Sequence, residues 1–182
     1  MLVTGGARSG KSAFAERYAA RRGKSVAYIA TAQVYDEEME FRVALHRARR
    51  PAHWTTYEAP YEAERAIEEA GTSHEAILFD CLTLYTTNLL CSGRLPEQEE
   101  ARYEAVRQAA DRLLESARQS GRCVVFVTNE VGMGIVPENA LARAYRDLAG
   151  LVNQRVAAAA DRVYLTVSGL AVDIKKLAEA ED

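Results

Sequence analysis

One segment constrains this chain more than any other, because residues 5–12 read GGARSGKS and fit the pattern G-x-x-x-x-G-K-[S/T]. A short apolar run, residues 1–4, precedes the segment, and a stretch of helical period, residues 12–22, follows it. Glycines let successive backbone N–H groups converge on phosphate oxygens beside the positive end of the next helix. We therefore predict a triphosphate site rather than a chance glycine-rich turn, with Lys11 at the β- and γ-phosphates and the Ser12 hydroxyl on Mg²⁺.

Apolar runs of strand length alternate with segments of helical period along the whole chain, which is typical of an α/β protein. Strands are predicted at residues 1–4, 25–30, 55–58, 76–79, 124–127 and 163–167, with 55–58 at an edge. Helices are predicted at residues 12–22, 36–49 (turning into a loop before Pro51), around 63–70, 98–120 and 139–160. We expect a P-loop NTPase-type three-layer fold, with a mainly parallel sheet flanked by helices, as one domain over residues 1–182.

Composition narrows the class of protein further. The formal charge of −3 and the pI near 5.7 argue against nucleic acid as a partner. The sequence contains no run of 18 apolar residues, so we predict no membrane span. We also expect no signal peptide before the phosphate loop. Three widely spaced cysteines, Cys81, Cys91 and Cys123, argue against a disulfide framework or a zinc site. We expect a cytoplasmic protein.

A phosphate loop of this kind needs a second metal anchor on a neighbouring strand. Asp80 directly follows the apolar run 76–79, which is the position of a Walker-B carboxylate. The alternative role for Asp80 is the N-cap of a helix beginning after Cys81. The signatures of regulatory GTPases, N-K-x-D and a D-x-x-G after Asp80, are missing from the sequence, so a signalling GTPase is disfavoured.

Several further blocks occur in an order that resembles one family. They are residues 28–32 (YIATA), 36–39 (DEEM) with Arg42, 46–51 (HRARRP), 128–138 (TNEVGMGIVPE), Arg146-Asp147 and Asn153-Gln154. Together with the phosphate loop, they resemble the bifunctional adenosylcobinamide kinase / adenosylcobinamide-phosphate guanylyltransferase family of cobalamin biosynthesis. The resemblance extends from Gly5 to about Gly169.

This resemblance implies two reactions. Adenosylcobinamide takes the γ-phosphoryl group of ATP or GTP, and adenosylcobinamide phosphate then takes GMP from GTP through a GMP-histidine adduct, releasing pyrophosphate. The resemblance places the adduct on His46 and also implies Mg²⁺ and a homotrimer. The residues that it places around the nucleotide are Gly5, Gly6, Ala7, Arg8, Ser9, Gly10, Lys11, Ser12, Thr31, Ala32, Gln33, Arg47, Arg49, Glu58 and Asp80.

The chemistry of His46 supports the same role, since neutral imidazole is a good nucleophile and the arginines beside it suit phosphate oxygens. The alternative is a solvated basic helix face that carries an incidental histidine. His53 is the rival nucleophile, but beside Trp54 we expect it to pack or to form a hydrogen bond. We expect His74, in a polar segment, to lie at the surface.

Two roles stay open at this point. Glu130 is equally suited to act as a base for the substrate hydroxyl and to cap the next turn. The glycine-rich run 131–137 fits a loop that closes over a large corrinoid. The tail from Lys176 to Asp182 is read as a solvated helix end.

Two other functions compete with this reading. A different P-loop phosphotransferase acting on a small alcohol would use Lys11, Ser12 and Asp80 but no guanylylated histidine. A non-catalytic nucleotide switch would bind a partner in a nucleotide-dependent way without turnover. Neither accounts for His46 among arginines together with the block at 128–138.

Overall fold

The computed structural model describes residues 1–34 and 36–178, with the side chains of Arg42 and Arg49 left aside. The strands are β1 (Leu2–Gly5), β2 (Val26–Ala30), β3 (Thr55–Glu58), β4 (Ala76–Asp80), β5 (Cys123–Val127), β6 (Val163–Val167) and β7 (Leu170–Asp173). The helices are α1 (Lys11–Ala20), α2 (Glu37–Arg49), α3 (Ala63–Ser73), α4 (Leu82–Cys91), α5 (Glu99–Gln119) and α6 (Ala140–Ala159), with a 3₁₀ turn at Ile174–Lys176.

Within the described residues, the strands form one seven-stranded sheet in the order β3-β2-β4-β5-β1-β6-β7. Strands β1 to β6 run parallel to one another, and only β7 is antiparallel, pairing with β6. The predicted mainly parallel sheet is confirmed, and so is the edge position of β3. Because the strands are parallel, the loops after β1, β2, β3, β4 and β5 all lie at one edge of the sheet.

Side chains alternate between the two faces of each strand and give each face its own helices. One face packs against α3, α4, α5 and α6, with Ile29, Phe79 and Phe126 at its centre. The other face packs against α1 and carries Tyr28 and Leu78. The three-layer arrangement follows from this alternation. Tyr28 and Asp80 each lie two residues from another α1-facing position, so both point to the α1 side.

Three elements differ from the sequence prediction. Helix α2 continues to Arg49 instead of ending early, and it begins at an Asp36 carboxylate that accepts the Met39 N–H at 2.8 Å. Helix α4 entered the prediction only through the alternative role of Asp80, because its buried side chains include polar Thr86 and Asn88, which obscure its period. Strand β7 was not predicted either, because its residues alternate between exposed and half-buried and it has only four of them.

None of the helices in the described part of the chain combines the length and apolar character that a membrane span requires.

Candidate active site

The phosphate loop joins β1 to α1 as predicted. Gly10 precedes α1 with a φ of +96°, a left-handed conformation that suits glycine. Within the described residues no side chain caps this helix, so its first N–H groups are left for a ligand. Lys11 folds back over the loop, where its Nζ donates to the Gly6 carbonyl at 3.1 Å. Gly6, Ala7 and Arg8 are exposed at the mouth.

Strand β6 and the turn after it contact the phosphate loop and hold it in place. The Ser9 and Thr166 hydroxyls are hydrogen-bonded at 2.8 Å, and Gly169 N–H donates to the Ser9 carbonyl at 2.9 Å. A Cβ on Gly5 would collide with Thr166, and a Cβ on Gly10 would lie 3.1 Å from the Gly169 Cα. The buried Ser9 side chain is therefore occupied in shaping the loop, whereas Gly6, Ala7 and Arg8 face solvent.

Asp80 is the last residue of β4 and points to the α1 face. Its Oδ2 accepts a hydrogen bond from the Tyr28 hydroxyl at 2.6 Å, and Oδ1 bonds to no described residue. The helix-cap interpretation of Asp80 is wrong, because Cys81 occupies the N-cap position of α4. The expectation of a neighbouring strand is also wrong, since β5 lies between β1 and β4.

The end of β4 is fixed by Thr31, the residue after β2. Its hydroxyl donates to the Cys81 carbonyl and accepts the Cys81 N–H, both at 2.8 Å, and its own N–H donates to the Asp80 carbonyl at 3.2 Å. Thr31 is fully buried, while Ala32 and Gln33 are half-buried. Thr31 thus uses its hydroxyl to hold the backbone at Asp80 and Cys81, which sets the direction of the Asp80 side chain. The hydroxyl is therefore not available to a ligand.

His46 reaches this cluster from α2. Its Nδ1 lies 4.0 Å from Asp80 Oδ2, and 39% of its side chain is exposed. On the next residue, the Arg47 guanidinium is paired with the Glu58 carboxylate at the end of β3. The Arg50 guanidinium, just beyond α2, lies 3.2 Å from the centre of the Tyr28 ring.

The structure therefore brings together most of the predicted residues at one edge of the sheet. Arg49 ends α2, but its side chain lies outside the described residues. His53 is exposed and lines a shallow cavity with Arg22, so the packing expected beside Trp54 is wrong. His74 is half-buried at the C-cap of α3, where Nδ1 contacts the Ala70 carbonyl at 3.3 Å.

Burial and nearby charges shift the pKa values of three groups around Asp80. Burial lowers the pKa of Lys11, while Cys81 and Asp80 act in the opposite direction, so these groups lie within electrostatic reach of the lysine. Burial, aided by Asp80, raises the pKa of the Cys81 thiol to about 12, which keeps it neutral at pH 7. Burial and Asp80 also raise the pKa of Tyr28, which stays a hydrogen-bond donor.

The block after β5 lies beside the phosphate loop. Glu130 N–H donates to the Gly5 carbonyl at 3.1 Å, and the Glu130 carboxylate accepts the Gly132 N–H at 2.7 Å. Of the two roles left open for Glu130, this structure displays the turn cap. Beyond it, Met133 and Ile135 are 84% and 96% exposed, so the run 131–137 presents apolar side chains to solvent.

Sequence reasoning missed Tyr28 as part of the site, although it noted the block that contains it. A signal was present, because Tyr28 is a residue with a polar tip two residues before the end of β2, the strand that leads into the predicted segment 31–33. What the sequence alone did not contain is the pairing of β2 with β4, which aligns Ala30 with Asp80.

Comparisons with known proteins identify the family to which this chain is similar. Residues 1–174 match the family model described as cobinamide kinase / cobinamide phosphate guanyltransferase. The chain is 50% identical to the bifunctional adenosylcobalamin biosynthesis protein CobU of Salmonella typhimurium over 182 residues, covering 96% of this chain and 99% of the relative. It is 47% identical to CobU of Escherichia coli, with the same coverages. It is 44% identical to CobP of Pseudomonas aeruginosa, covering 96% of each chain.

Proposed function

Because this chain belongs to the cobinamide kinase / cobinamide phosphate guanyltransferase family, we propose that one triphosphate site serves both reactions and that His46 carries GMP between them. The protein is a bifunctional enzyme of adenosylcobalamin biosynthesis, acting as a kinase and as a guanylyltransferase. The observation that carries the proposal is the position of His46, 4.0 Å from the carboxylate that ends β4.

In the kinase step, the loop and Lys11 hold the triphosphate of ATP or GTP. The hydroxyl oxygen of cobinamide attacks the γ-phosphorus, the bond to the β,γ-bridging oxygen breaks, the nucleoside diphosphate leaves, and the hydroxyl proton is released to water. Lys11 stabilises the charge that develops on the transferring group and on the leaving oxygen.

The donor set fits Mg²⁺. This ion is usually held by one or two carboxylates together with substrate phosphates, and the described residues contain no group of three or more acidic, histidine or cysteine ligands. Ser12 Oγ and Asp80 Oδ1 would hold it, and when bound it would neutralise phosphate charge. Asp80 Oδ2 is already occupied by Tyr28.

In the guanylyl step, the imidazole of His46 attacks the α-phosphorus of GTP and pyrophosphate leaves. A phosphate oxygen of cobinamide phosphate then attacks the adduct, the nitrogen–phosphorus bond breaks, and the free imidazole returns. Arg47, beside the nucleophile, is available for the α-phosphate if its exposed pairing with Glu58 opens.

The exposed apolar run after β5 supports a role in holding the corrinoid. Met133, Ile135 and Val136 are exposed beside the turn that Glu130 caps, next to the phosphate loop. An apolar corrinoid face would cover these side chains and gain the free energy of their burial.

The homotrimer and the cytoplasmic location remain predictions.

Labelling with GTP tests the covalent step. Incubation with α-labelled GTP and Mg²⁺, without corrinoid, should leave label on the protein that is lost in acid and survives base, as a phosphoramidate is. We expect His46→Ala to abolish the label while ATP-dependent phosphorylation of cobinamide stays within a few-fold of wild type.

The two other histidines provide the controls. His53→Ala and His74→Ala should both label, because His53 lines a cavity with Arg22 and His74 ends α3, both near the starts of β2 and β4 at the opposite edge of the sheet. Label that persists in His46→Ala and disappears in His53→Ala would move the adduct to His53. A wild-type protein that phosphorylates cobinamide and takes no label from GTP would contradict the covalent step altogether.

A further inference from the structure

The Tyr28–Asp80–His46 contacts form a chain that ends on one particular nitrogen of the imidazole. Tyr28 is 3% exposed, and its hydroxyl donates to Asp80 Oδ2 at 2.6 Å. The same Oδ2 lies 4.0 Å from His46 Nδ1. Nε2 has no partner among the described residues, so it is the nitrogen left open to a ligand.

We propose that Asp80 and Tyr28 position the imidazole of His46 so that Nε2 is the atom that takes GMP, an inference that rests on the proposed guanylyl step. A hydrogen bond from Nδ1–H to a carboxylate fixes the tautomer in which Nε2 carries the lone pair. The distance of 4.0 Å is longer than a hydrogen bond, and such contacts commonly tighten when the substrate binds.

Attack through Nε2 balances electrons and protons at the ring. The Nε2 lone pair forms the bond to the α-phosphorus, and the electrons of the broken bond leave with pyrophosphate. The ring keeps its Nδ1 proton and becomes positively charged, next to the negative carboxylate of Asp80. In the second step the nitrogen–phosphorus electrons return to Nε2, so no proton has to move at the ring in either step.

Tyr28 is the positioning residue in this chain. The Arg50 guanidinium over its ring and the Thr31 hydrogen bonds at Cys81 hold the two ends of the tyrosine–aspartate contact. The Tyr28 hydroxyl bonds to Oδ2 of Asp80 and leaves Oδ1 for a metal ion. This hydrogen bond also holds Oδ2 in the position where it lies near His46 on α2.

The site of attachment can be measured directly, because the chain has only three histidines. Protein labelled with ¹⁵N-histidine is loaded with GTP and Mg²⁺, and ring ¹H–¹⁵N spectra with ³¹P coupling identify the modified nitrogen. We expect phosphorus on Nε2 and a proton on Nδ1. Phosphorus on Nδ1 overturns this inference and leaves the covalent mechanism standing, whereas no adduct at all overturns both.

A matched pair of tyrosines tests the positioning role. Tyr28→Phe should slow GMP loading about ten-fold at saturating GTP, the loss expected for one charge-assisted hydrogen bond, with little change in the GTP concentration for half-maximal rate. Tyr85→Phe is the control, since Tyr85 is also 3% exposed and donates to a carboxylate, that of Glu64, on the other face of the sheet. We expect its loading rate to stay within about two-fold of wild type.

Other outcomes decide against the proposal. Equal loss in both variants would indicate a general effect of removing a buried hydroxyl. A change confined to the Mg²⁺ requirement of Tyr28→Phe would assign the tyrosine to the metal ligand instead of the nucleophile. Wild-type loading in Tyr28→Phe would remove the tyrosine from the mechanism.

Discussion

The phosphate loop and helix α2 meet at the same edge of the sheet but are attached to the protein in opposite ways. The loop is tied to β6 by buried groups, with the Ser9–Thr166 hydrogen bond and the Gly10–Gly169 contact beneath it. None of the described side chains of α2 is buried, and its contacts at the site are the polar ones of His46 and Arg47. Exposed ion pairs contribute little stability, so α2 is the less firmly fixed of the two.

This difference in attachment matches the different roles proposed for the phosphate loop and for α2. The loop would bind triphosphate in both reactions and is part of the sheet's own packing. The nucleophile would act in one reaction only, and it sits on an element that can change position at small cost. Substitutions in the two regions should therefore differ in which reactions they affect and in how far they change stability.

The largest effect is expected at the loop. Lys11→Ala should lower both the kinase and the guanylyl rates by roughly 10²–10³-fold, because the lysine stabilises charge on the transferring group in each. Separate assays of the two rates measure this. Lys24→Ala, an exposed lysine after α1, is the control and should match wild type. Loss of one activity alone would mean that the two reactions use different triphosphate sites.

The next effect is expected at the carboxylate that the two regions share. Asp80→Asn should raise the Mg²⁺ concentration for half-maximal kinase activity by about ten-fold, because an amide oxygen is a weaker ligand for Mg²⁺ than a carboxylate. Mg²⁺ titrations of the kinase rate measure the shift, with Asp161→Asn, at an exposed position, as the control. An unchanged Mg²⁺ requirement would show that Asp80 is not a metal ligand, and its remaining proposed role would be to position His46.

A smaller effect, on stability, separates the loop from other glycine turns. Gly10→Ala should lower the free energy of unfolding by about 1–3 kcal/mol, because a residue with φ near +96° is strained and its Cβ meets Gly169. Gly93→Ala also has a positive φ, +69°, but open space around it, so we expect only about 1 kcal/mol. Urea unfolding of both variants gives the difference. Equal values would show that the close approach to Gly169 contributes nothing.

The smallest effect is expected on α2. Phe41 is 64% exposed, so Phe41→Ser should change the free energy of unfolding by less than about 0.5 kcal/mol. The same urea experiment measures it. A much larger loss would mean that another copy of the chain covers Phe41, and sedimentation of the wild type and the variant would then reveal the assembly.

The sequence predicted the loop and the sheet better than it predicted α2 and its surroundings. Residues 5–12 carry their geometry in their own glycines, and buried strands such as β4 and β5 are continuous apolar runs, so local pattern was enough. The edge strand β7 and helix α4 depend on partners far along the chain. Asn88 shows why, since its buried amide donates to the carbonyls of Thr31 and Pro60, which no local pattern indicates.

Residues near the site show the same limit. The placement of Asp80 at a strand end was predictable, but its partner Tyr28 depends on which strands pair. His53 was expected to pack or to form a hydrogen bond because Trp54 is its neighbour in sequence, yet the tryptophan turns inward while the histidine is exposed to solvent. The direction of a side chain at a loop depends on the whole fold.

The contacts between Ser9 and the β6–β7 turn also bear on how the protein is made. The two hydroxyls that hold the loop in shape are 157 residues apart in the sequence. A ribosome therefore releases residues 5–12 long before Thr166 and Gly169 exist to support them. On the emerging chain, the nucleotide site should gain its final form only after translation has passed β6.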